Sequence, residues 1–332
     1  MDDERHLREI GEAGILARLF ARLGAAGEGV VVGPGDDAAV LAGAGGDAVV
    51  FASDAMAEGV HFDLAFMTAA DVGWRLTCAN LSDLAAMGAE PWAAVVSLAA
   101  PRSTPAGSVE AFYDGASRLA RSEGLALVGG DVVASPAGLF FAMAILGRAP
   151  SGRYLSRAGA SPGDVVFVSG ELALAQAGLH ILAGEGECRP AVAPEATRRY
   201  RRPVPRTELG RRLRAGGLAS AAIDTSDSLS ESLAYLASAS GVGFRLEAEA
   251  LPIAEAARDV ASSRGEEAVA YALAAGEDFE LLFTCPESKA EEALREAARA
   301  GVPARAIGVV TLAAHGLRLA VDGDEKPLRA EG

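Results

Sequence analysis

The chain has 332 residues, half of them hydrophobic, enough for two ordinary domains with full cores. A formal charge of −15 makes duplex nucleic acid and anionic membranes poor partners, no apolar run reaches the length of a membrane span, and the charged start Met1-Asp2-Asp3-Glu4-Arg5 argues against a signal peptide. Three scattered cysteines, Cys78, Cys188 and Cys285, suggest neither a disulfide framework nor a thiolate metal site, which fits a cytoplasmic protein.

Residues 4–23 carry Leu7, Ile10, Leu16, Leu19, Phe20 and Leu23 at helical spacing. After a Gly-rich turn and Gly33-Pro34-Gly35-Asp36-Asp37, strands are predicted over 38–41 and 48–52, joined by a glycine turn at 42–46. The second strand runs straight into Ser53-Asp54, and His61 follows in a polar loop. A helix opening near Val72 ends at Gly88, and Pro91 bars its resumption. On it Asn80 and Asp83 share one face, while Leu81 and Leu84 point to a buried one. A strand over 93–98, a helix over 108–123 and a strand over 126–128 lead to Gly129-Gly130-Asp131, and a strand over 139–147 completes the first half.

Residues 147–164 are rich in Gly, Ser, Arg and Pro and read as a linker, which divides the chain into domains 1–150 and 151–332. The second half opens with a strand over 165–169 and a helix over 173–182. A run of arginines over 198–214 reads as a solvated helix face. A strand over 221–223 enters Asp224-Thr225-Ser226-Asp227, and the helix that follows stops at Gly241. A strand over 244–247, a helix over 267–273, the turn Gly276-Glu277-Asp278, a strand over 280–285, a helix over 287–300 and a strand over 304–310 complete the pattern. Alternating strands and helices in both halves predict α/β or α+β architecture.

Six acidic clusters recur: Gly35-Asp36-Asp37, Ser53-Asp54, Asn80 with Asp83, Gly129-Gly130-Asp131, Asp224 to Asp227, and Gly276-Glu277-Asp278. Five of them are predicted at a strand end or a turn, where sites usually sit. Each has a local explanation, since Asp caps helices and Gly-Gly-Asp makes turns; Asp224 or Ser226 is best placed to cap the helix after it. Together they carry a different implication if they converge. Two carboxylates about 4 Å apart repel by about 4 kcal/mol at an effective dielectric near 20, so a group of them persists only with cations. Oxygen ligands without His or Cys favour Mg²⁺ over zinc, and Mg²⁺ held by several carboxylates points to phosphate chemistry. Gly129-Gly130 would add unobstructed backbone N–H groups for a phosphate. Only Lys289 and Lys326 are lysines, and neither follows a Gly-rich loop, so a P-loop is excluded and a protein kinase is disfavoured. The residues by themselves imply a Mg²⁺-dependent enzyme acting on a nucleoside triphosphate.

The ordered set of motifs resembles the thiamine-monophosphate kinases, within the superfamily of aminoimidazole ribonucleotide synthetase. The resemblance runs from Gly11-Glu12-Ala13-Gly14-Ile15-Leu16 to Ile307-Gly308. It rests on Gly35-Asp36-Asp37-Ala38, Ser53-Asp54 with His61-Phe62, the stretch Asn80 to Ala89, Gly129-Gly130-Asp131, Gly159 to Asp164, Ile223 to Asp227, and Gly276 to Leu281. It implies ATP-dependent phosphorylation of thiamine phosphate to thiamine diphosphate by direct in-line transfer, with no covalent nucleophile. It implies Mg²⁺ ions at Asp37, Ser53, Asp54, Asp83, Asp131, Asp224 and Asp227. ATP contacts would fall at Gly130, Asp131, Arg157 and Ser226, and thiamine phosphate contacts at His61 and Glu277. The implied fold is an N-terminal α+β domain that dimerises into a barrel plus a C-terminal α/β domain, hence a homodimer.

Three departures from the family pattern stand out. Ser228 occupies a usual Gly position, Glu231 a usual Asp position, and no Phe, Tyr or Trp follows Phe283, although family members usually end in an aromatic-containing segment that contacts the thiamine. Within the superfamily, a selenide dikinase would want a Cys near an N-terminal Gly-rich loop, and a carbamoyl dehydratase a C-terminal Cys; neither is present in the sequence. An aminoimidazole ribonucleotide synthetase-like enzyme and a non-catalytic nucleotide-binding relative stand as alternatives.

Overall fold

In the computed structural model, which describes residues 6–23 and 27–329, two mixed sheets are built from the two halves of the chain. The first half contains α1 (Leu7–Leu23), β1 (Val30–Val32), β2 (Ala39–Ala42), β3 (Asp47–Ala57), α2 (Ala69–Ala86), β4 (Glu90–Ala100), α3 (Ala106–Ser122), β5 (Ala126–Ala134) and β6 (Phe140–Pro150). Its sheet has the order β1-β2-β3-β6-β4-β5 and is antiparallel except for the β4–β5 pair. Residues 4 and 5 of the helix expected at the start lie outside the described residues.

The second half contains β7 (Val165–Ser169), α4 (Leu174–Ala183), α5 (Ala193–Arg201), α6 (Thr207–Ala215), β8 (Ala221–Asp224), α7 (Leu229–Ser240), β9 (Val242–Glu247), α8 (Glu255–Arg264), α9 (Ala268–Ala274), β10 (Leu281–Cys285), α10 (Ala290–Arg299), β11 (Ala304–Leu312), β12 (Leu317–Val321) and β13 (Asp324–Pro327). Its sheet has the order β13-β12-β9-β11-β7-β10-β8. The mixed α/β architecture is the one the alternation predicts. Helix α8 and the short strands β1, β12 and β13 were not anticipated; a strand of three to five residues is too short to show a period.

Helix α2 lies at the centre. A reciprocal capping box between Thr68 and Asp71 fixes its start, earlier than the sequence suggested, and Gly88 at φ 62° turns the chain away at its end. Fourteen of its 18 residues are buried, including Arg75, Asn80 and Ser82. It is buried all round because it packs on α3, on β3 and β6, and on α6 and β8 from the other half. Small residues allow this crowding. A Cβ on Gly73 would lie 2.0 Å from the Phe112 carbonyl oxygen, and one on Gly115 1.8 Å from that of Ala70, so α2 and α3 meet backbone to backbone. A Cβ on Gly210 would lie 2.0 Å from the Ala85 carbonyl oxygen, so α6 crosses the end of α2 as closely.

Two motif placements differ from expectation. Ser53-Asp54 does not end a strand; β3 continues through it to Ala57. Gly129-Gly130-Asp131 is not a turn but the middle of β5. In both cases polar residues interrupt the apolar run while the backbone pairing with β6 or β4 continues.

Gly115→Ala tests the α2–α3 contact. Overpacking of this kind costs about 1–3 kcal/mol. The urea midpoint should fall accordingly, and an unchanged midpoint would show that the helices are free to separate.

Candidate active site

Four elements each bring one carboxylate to the inner end of α2. Asp37 precedes β2, Asp54 lies inside β3, Asp83 is on α2 and Asp224 ends β8. Carboxylate oxygens of Asp37, Asp83 and Asp224 lie within 4.8 Å of one another. Asp54 joins them electrostatically, with Asp83, Asp224 and Asp227 acting on it or under its influence. Its backbone N–H donates to Asn80 Oδ1 at 3.3 Å, and Asn80 Nδ2 donates to the Leu76 carbonyl at 2.9 Å, so Asn80 locks β3 to α2.

Arg157 closes the group from the segment after β6. Its guanidinium donates to Asp37 Oδ1 at 2.6 Å, its backbone N–H donates to the Asp36 carboxylate, and Tyr235 lies with its ring centroid 5.0 Å from the guanidinium carbon. Burial pushes Asp37 up to about 7 despite Arg157, and pushes Asp54 up to about 6 with Asp224 and Asp227 adding to the effect. Asp83 is raised well above the usual carboxylate range by burial and then by Asp54, Asp224 and Asp37. Burial also raises Asp224, opposed by the hydroxyls of Ser82 and Ser226. Asp37 Oδ2 and Asp224 Oδ2 are buried without a hydrogen-bond partner. Orphaned, hard oxygen donors at this spacing fit a divalent cation such as Mg²⁺.

A second pair of loops flanks the carboxylates. The Glu277 N–H donates to the Ser226 carbonyl at 2.7 Å, the Phe279 N–H to the Thr225 carbonyl at 3.3 Å, and the Thr225 N–H to the Glu280 carbonyl at 2.9 Å. Ser226 Oγ donates to Asp224 Oδ1 at 2.8 Å. Glu277 and Phe279 have φ of 64° and 52°, a strained backbone for residues with side chains. The helix-cap explanation for Asp224 or Ser226 is corrected here: the N-cap of α7 is Ser228, whose hydroxyl accepts from the Glu231 N–H at 3.2 Å. Ser228 and Glu231, two of the three departures from the family pattern, cap the helix together.

The other expected site residues lie elsewhere. Asp54 pairs across the sheet with Met143, Met143 with Val96, and Val96 with Gly130. That row spans three strand spacings, about 14 Å, so Gly130 is well separated from the carboxylates within one chain. Asp131 lies in the adjacent row with Ala55, Ala142 and Ser97, and strand alternation turns it to the outer face of the sheet, as it does Ser53. His61 is exposed, its Nδ1 accepting from the Ala57 N–H at 3.1 Å in the turn after β3.

The sequence reading missed several charged residues around this site. Arg75, fully buried in α2, pairs with Glu277 and donates to the Tyr200 carbonyl; a lone charge between Trp74 and Leu76 was its only signal. Asp278 accepts from the Ala173 and Ala175 N–H groups at the start of α4, and burial pushes it up to about 7. The arginine run is not simply a solvated face. Arg206 is buried and holds Glu280 through both carboxylate oxygens, and Arg199 reaches the same carboxylate at 3.3 Å.

Residues 35–149 match the family described as AIR synthase related protein, N-terminal domain, and residues 161–319 its C-terminal domain. The chain is 36% identical over 315 residues to the thiamine-monophosphate kinase of Salmonella typhimurium, covering 94% of each, and 34% identical to that of Bacillus subtilis, covering 85% of this chain and 86% of the relative. The chain belongs to the thiamine-monophosphate kinase family. Among solved structures, AaThiL complexed with AMPPCP and TMP superposes with a TM-score of 0.85 at 29% identity, over 100% of this chain and 98% of that one. The thiamine-monophosphate kinase of Stenotrophomonas maltophilia superposes with a TM-score of 0.77 at 34% identity, over 93% and 96%.

The raised carboxylates fix the sign of a pH effect. Asp37 and Asp54 have folded values of about 7 and about 6 against an ordinary 3.8, so the metal-free folded state binds protons that the unfolded state has released. Their contribution is fully present below about pH 4 and is lost as pH rises through 6 to 7. In the presence of a chelator the melting temperature should fall between pH 5 and pH 8. A flat or rising profile would show that these carboxylates do not share one buried site.

Proposed function

We propose that the protein transfers the γ-phosphoryl group of ATP directly and in line to thiamine phosphate, giving thiamine diphosphate, with Mg²⁺ required. The convergence of Asp37, Asp83 and Asp224 with two orphaned carboxylate oxygens carries this reading. Membership of the family and the fold shared with AaThiL, described as complexed with AMPPCP and TMP, support it. Asp37, Asp54, Asp83, Asp224 and Asp227 would hold Mg²⁺, which neutralises phosphate oxygens when bound. The chain itself supplies rigid positioning, which is most of what phosphoryl transfer needs from a protein. Asn80 fixes Asp54 relative to Asp83, Arg157 holds Asp37 while offering a guanidinium to a phosphate, and Ser226 orients Asp224. Arg75 fixes Glu277, so that a carboxylate stands ready for the cationic thiamine moiety beside the carboxylates that take the phosphates. Gly130 and Asp131 are assigned to the nucleotide, and His61 to thiamine phosphate, by motif position alone.

The working unit proposed is a homodimer. Helices α2 and α3 cover only the inner face of the first sheet, whereas Phe51, Trp92, Val95 and Phe140 stand at least 40% exposed on or beside its outer face. A second copy pairing these faces into a barrel would bury them. It would also place Ser53 and Asp131, which share that face, at the seam between subunits. We further place the protein in the cytoplasm: its cysteines are free, and no described helix is long and apolar enough to cross a membrane.

The decisive assay is incubation with ATP, Mg²⁺ and thiamine phosphate. Formation of thiamine diphosphate is expected, and ATP binding without product would leave the two alternatives, an aminoimidazole ribonucleotide synthetase-like enzyme or a non-catalytic relative. Asp83→Asn keeps the shape of the side chain and removes one charge. Turnover should fall by about 10²–10³-fold, as when one preorganised electrostatic contact is lost. The metal-free variant should melt no earlier than the parent, and its stabilisation by Mg²⁺ and ATP should shrink. Early melting with full activity would make Asp83 a structural residue instead. Light scattering should return twice the 33.7 kDa chain mass, and a monomer at micromolar concentration would remove the dimer.

A further inference from the structure

A cavity of about 620 Å³ opens between the end of β7, residues 251–253 and the start of β11, and none of the clustered carboxylates lines it. Four guanidiniums reach it, those of Arg199, Arg206, Arg258 and Arg305. In a chain of formal charge −15 such a concentration is unusual.

The floor is built. Glu280 accepts from Arg206 Nε at 2.6 Å, Arg199 Nη1 at 3.3 Å and Ser169 Oγ at 2.5 Å, so its lone pairs are well occupied. Gly170, at φ +62°, leaves the space this carboxylate fills; a Cβ there would lie 2.1 Å from Glu280 Oε1. Arg199 Nε is buried with no hydrogen-bond partner. Some exposed arginines elsewhere, such as Arg189 and Arg198, are paired with Asp or Glu, while others, such as Arg102, Arg118 and Arg121, stand on open surface. Among the described residues, the exposed Arg258 and Arg305 make neither a side-chain hydrogen bond nor an ion pair. Three carboxylates answer the four guanidiniums, Glu171 in the wall, Glu280 in the floor and Glu195, which stands 3.9 Å from Arg199 and is shared with Arg198, so a positive excess of one remains. Leu251, Pro252 and Ile253 supply an apolar wall beside the charges.

We propose that this cavity is a second ligand site, separate from the kinase centre, for a small organic molecule bearing a phosphate or diphosphate group. Planar guanidiniums match phosphate oxygens in pairs, which favours phosphate over a monovalent anion. The volume lies within the range of small-molecule sites and is too small for a macromolecule. The anionic group would sit between Arg258, Arg305 and the floor arginines, with the organic part on residues 251–253. An occupant would also draw on Arg199 and Arg206, which hold Glu280, and Glu280 is three residues from Glu277.

The test uses inorganic pyrophosphate as the probe and the full chain, with chelator present and no ATP, so that it does not depend on the kinase reading. Isothermal titration calorimetry should give one site per chain with a Kd of about 0.1 mM. Arg258→Ala with Arg305→Ala should weaken binding at least about tenfold, because two charge-assisted contacts are lost. Both side chains are exposed, so the double variant should keep the parental melting temperature; should it not, the single variants Arg258→Gln and Arg305→Gln carry the same test. Asp83→Asn should bind pyrophosphate as the parent does. No binding at 10 mM, equal binding by parent and arginine variants, or loss of binding in Asp83→Asn would each overturn the proposal.

Discussion

Mutual repulsion among buried carboxylates is the constraint on which this architecture turns. Asp37, Asp54, Asp83 and Asp224 come from a loop, two strands and a helix, and each is wholly or partly withdrawn from the water that would ordinarily screen it. Nothing in local chain geometry would bring them together. They meet because α2 is wedged between both halves of the molecule, with Gly73, Gly115 and Gly210 letting the backbones of α3 and α6 close on it. The scaffold's stability is thus partly set against the site it holds, the usual relation between a preorganised charged centre and its fold.

Much of this was legible in the sequence for one reason. Each acidic cluster has a local explanation when taken singly, but the joint electrostatic implication of six does not need the fold. Residues such as Asp83 and Asp224 could therefore be singled out before their distance was known. What could not be read were buried charges whose partners are remote. Arg206 and Glu280 are 74 residues apart, and an arginine in a basic run looks the same whether it faces water or a carboxylate. Arg75 was lost in the same way inside an apolar helix. Strand ends were misplaced at Ser53 and Gly129 because side-chain polarity reports the environment of a face, whereas strand continuation depends on backbone pairing with β6 or β4.

The two departures from the family pattern next to Asp227 find a shared explanation. Ser228 and Glu231 start α7 by satisfying the Glu231 N–H, and their side chains also meet at 3.1 Å. This relieves Asp224 of any capping duty and leaves its second oxygen without a partner. A hydroxyl where glycine is usual therefore changes how the helix is started while the carboxylate beside it keeps its orientation through Ser226.

The central placement of α2 also has a consequence for how the protein is made. Ala85 and Ala86 belong to a core otherwise formed by residues of the second half, among them Phe167, Leu209 and Phe283, and the side chain of Arg75 depends on Tyr200 and Glu277. A nascent chain released residue by residue from its N-terminus completes the first sheet long before these partners exist. At about 5–20 residues per second, Glu277 follows Arg75 by roughly 10–40 s. Throughout that interval a guanidinium destined for full burial must stay hydrated, so the first half waits on the ribosome with one side of its central helix open.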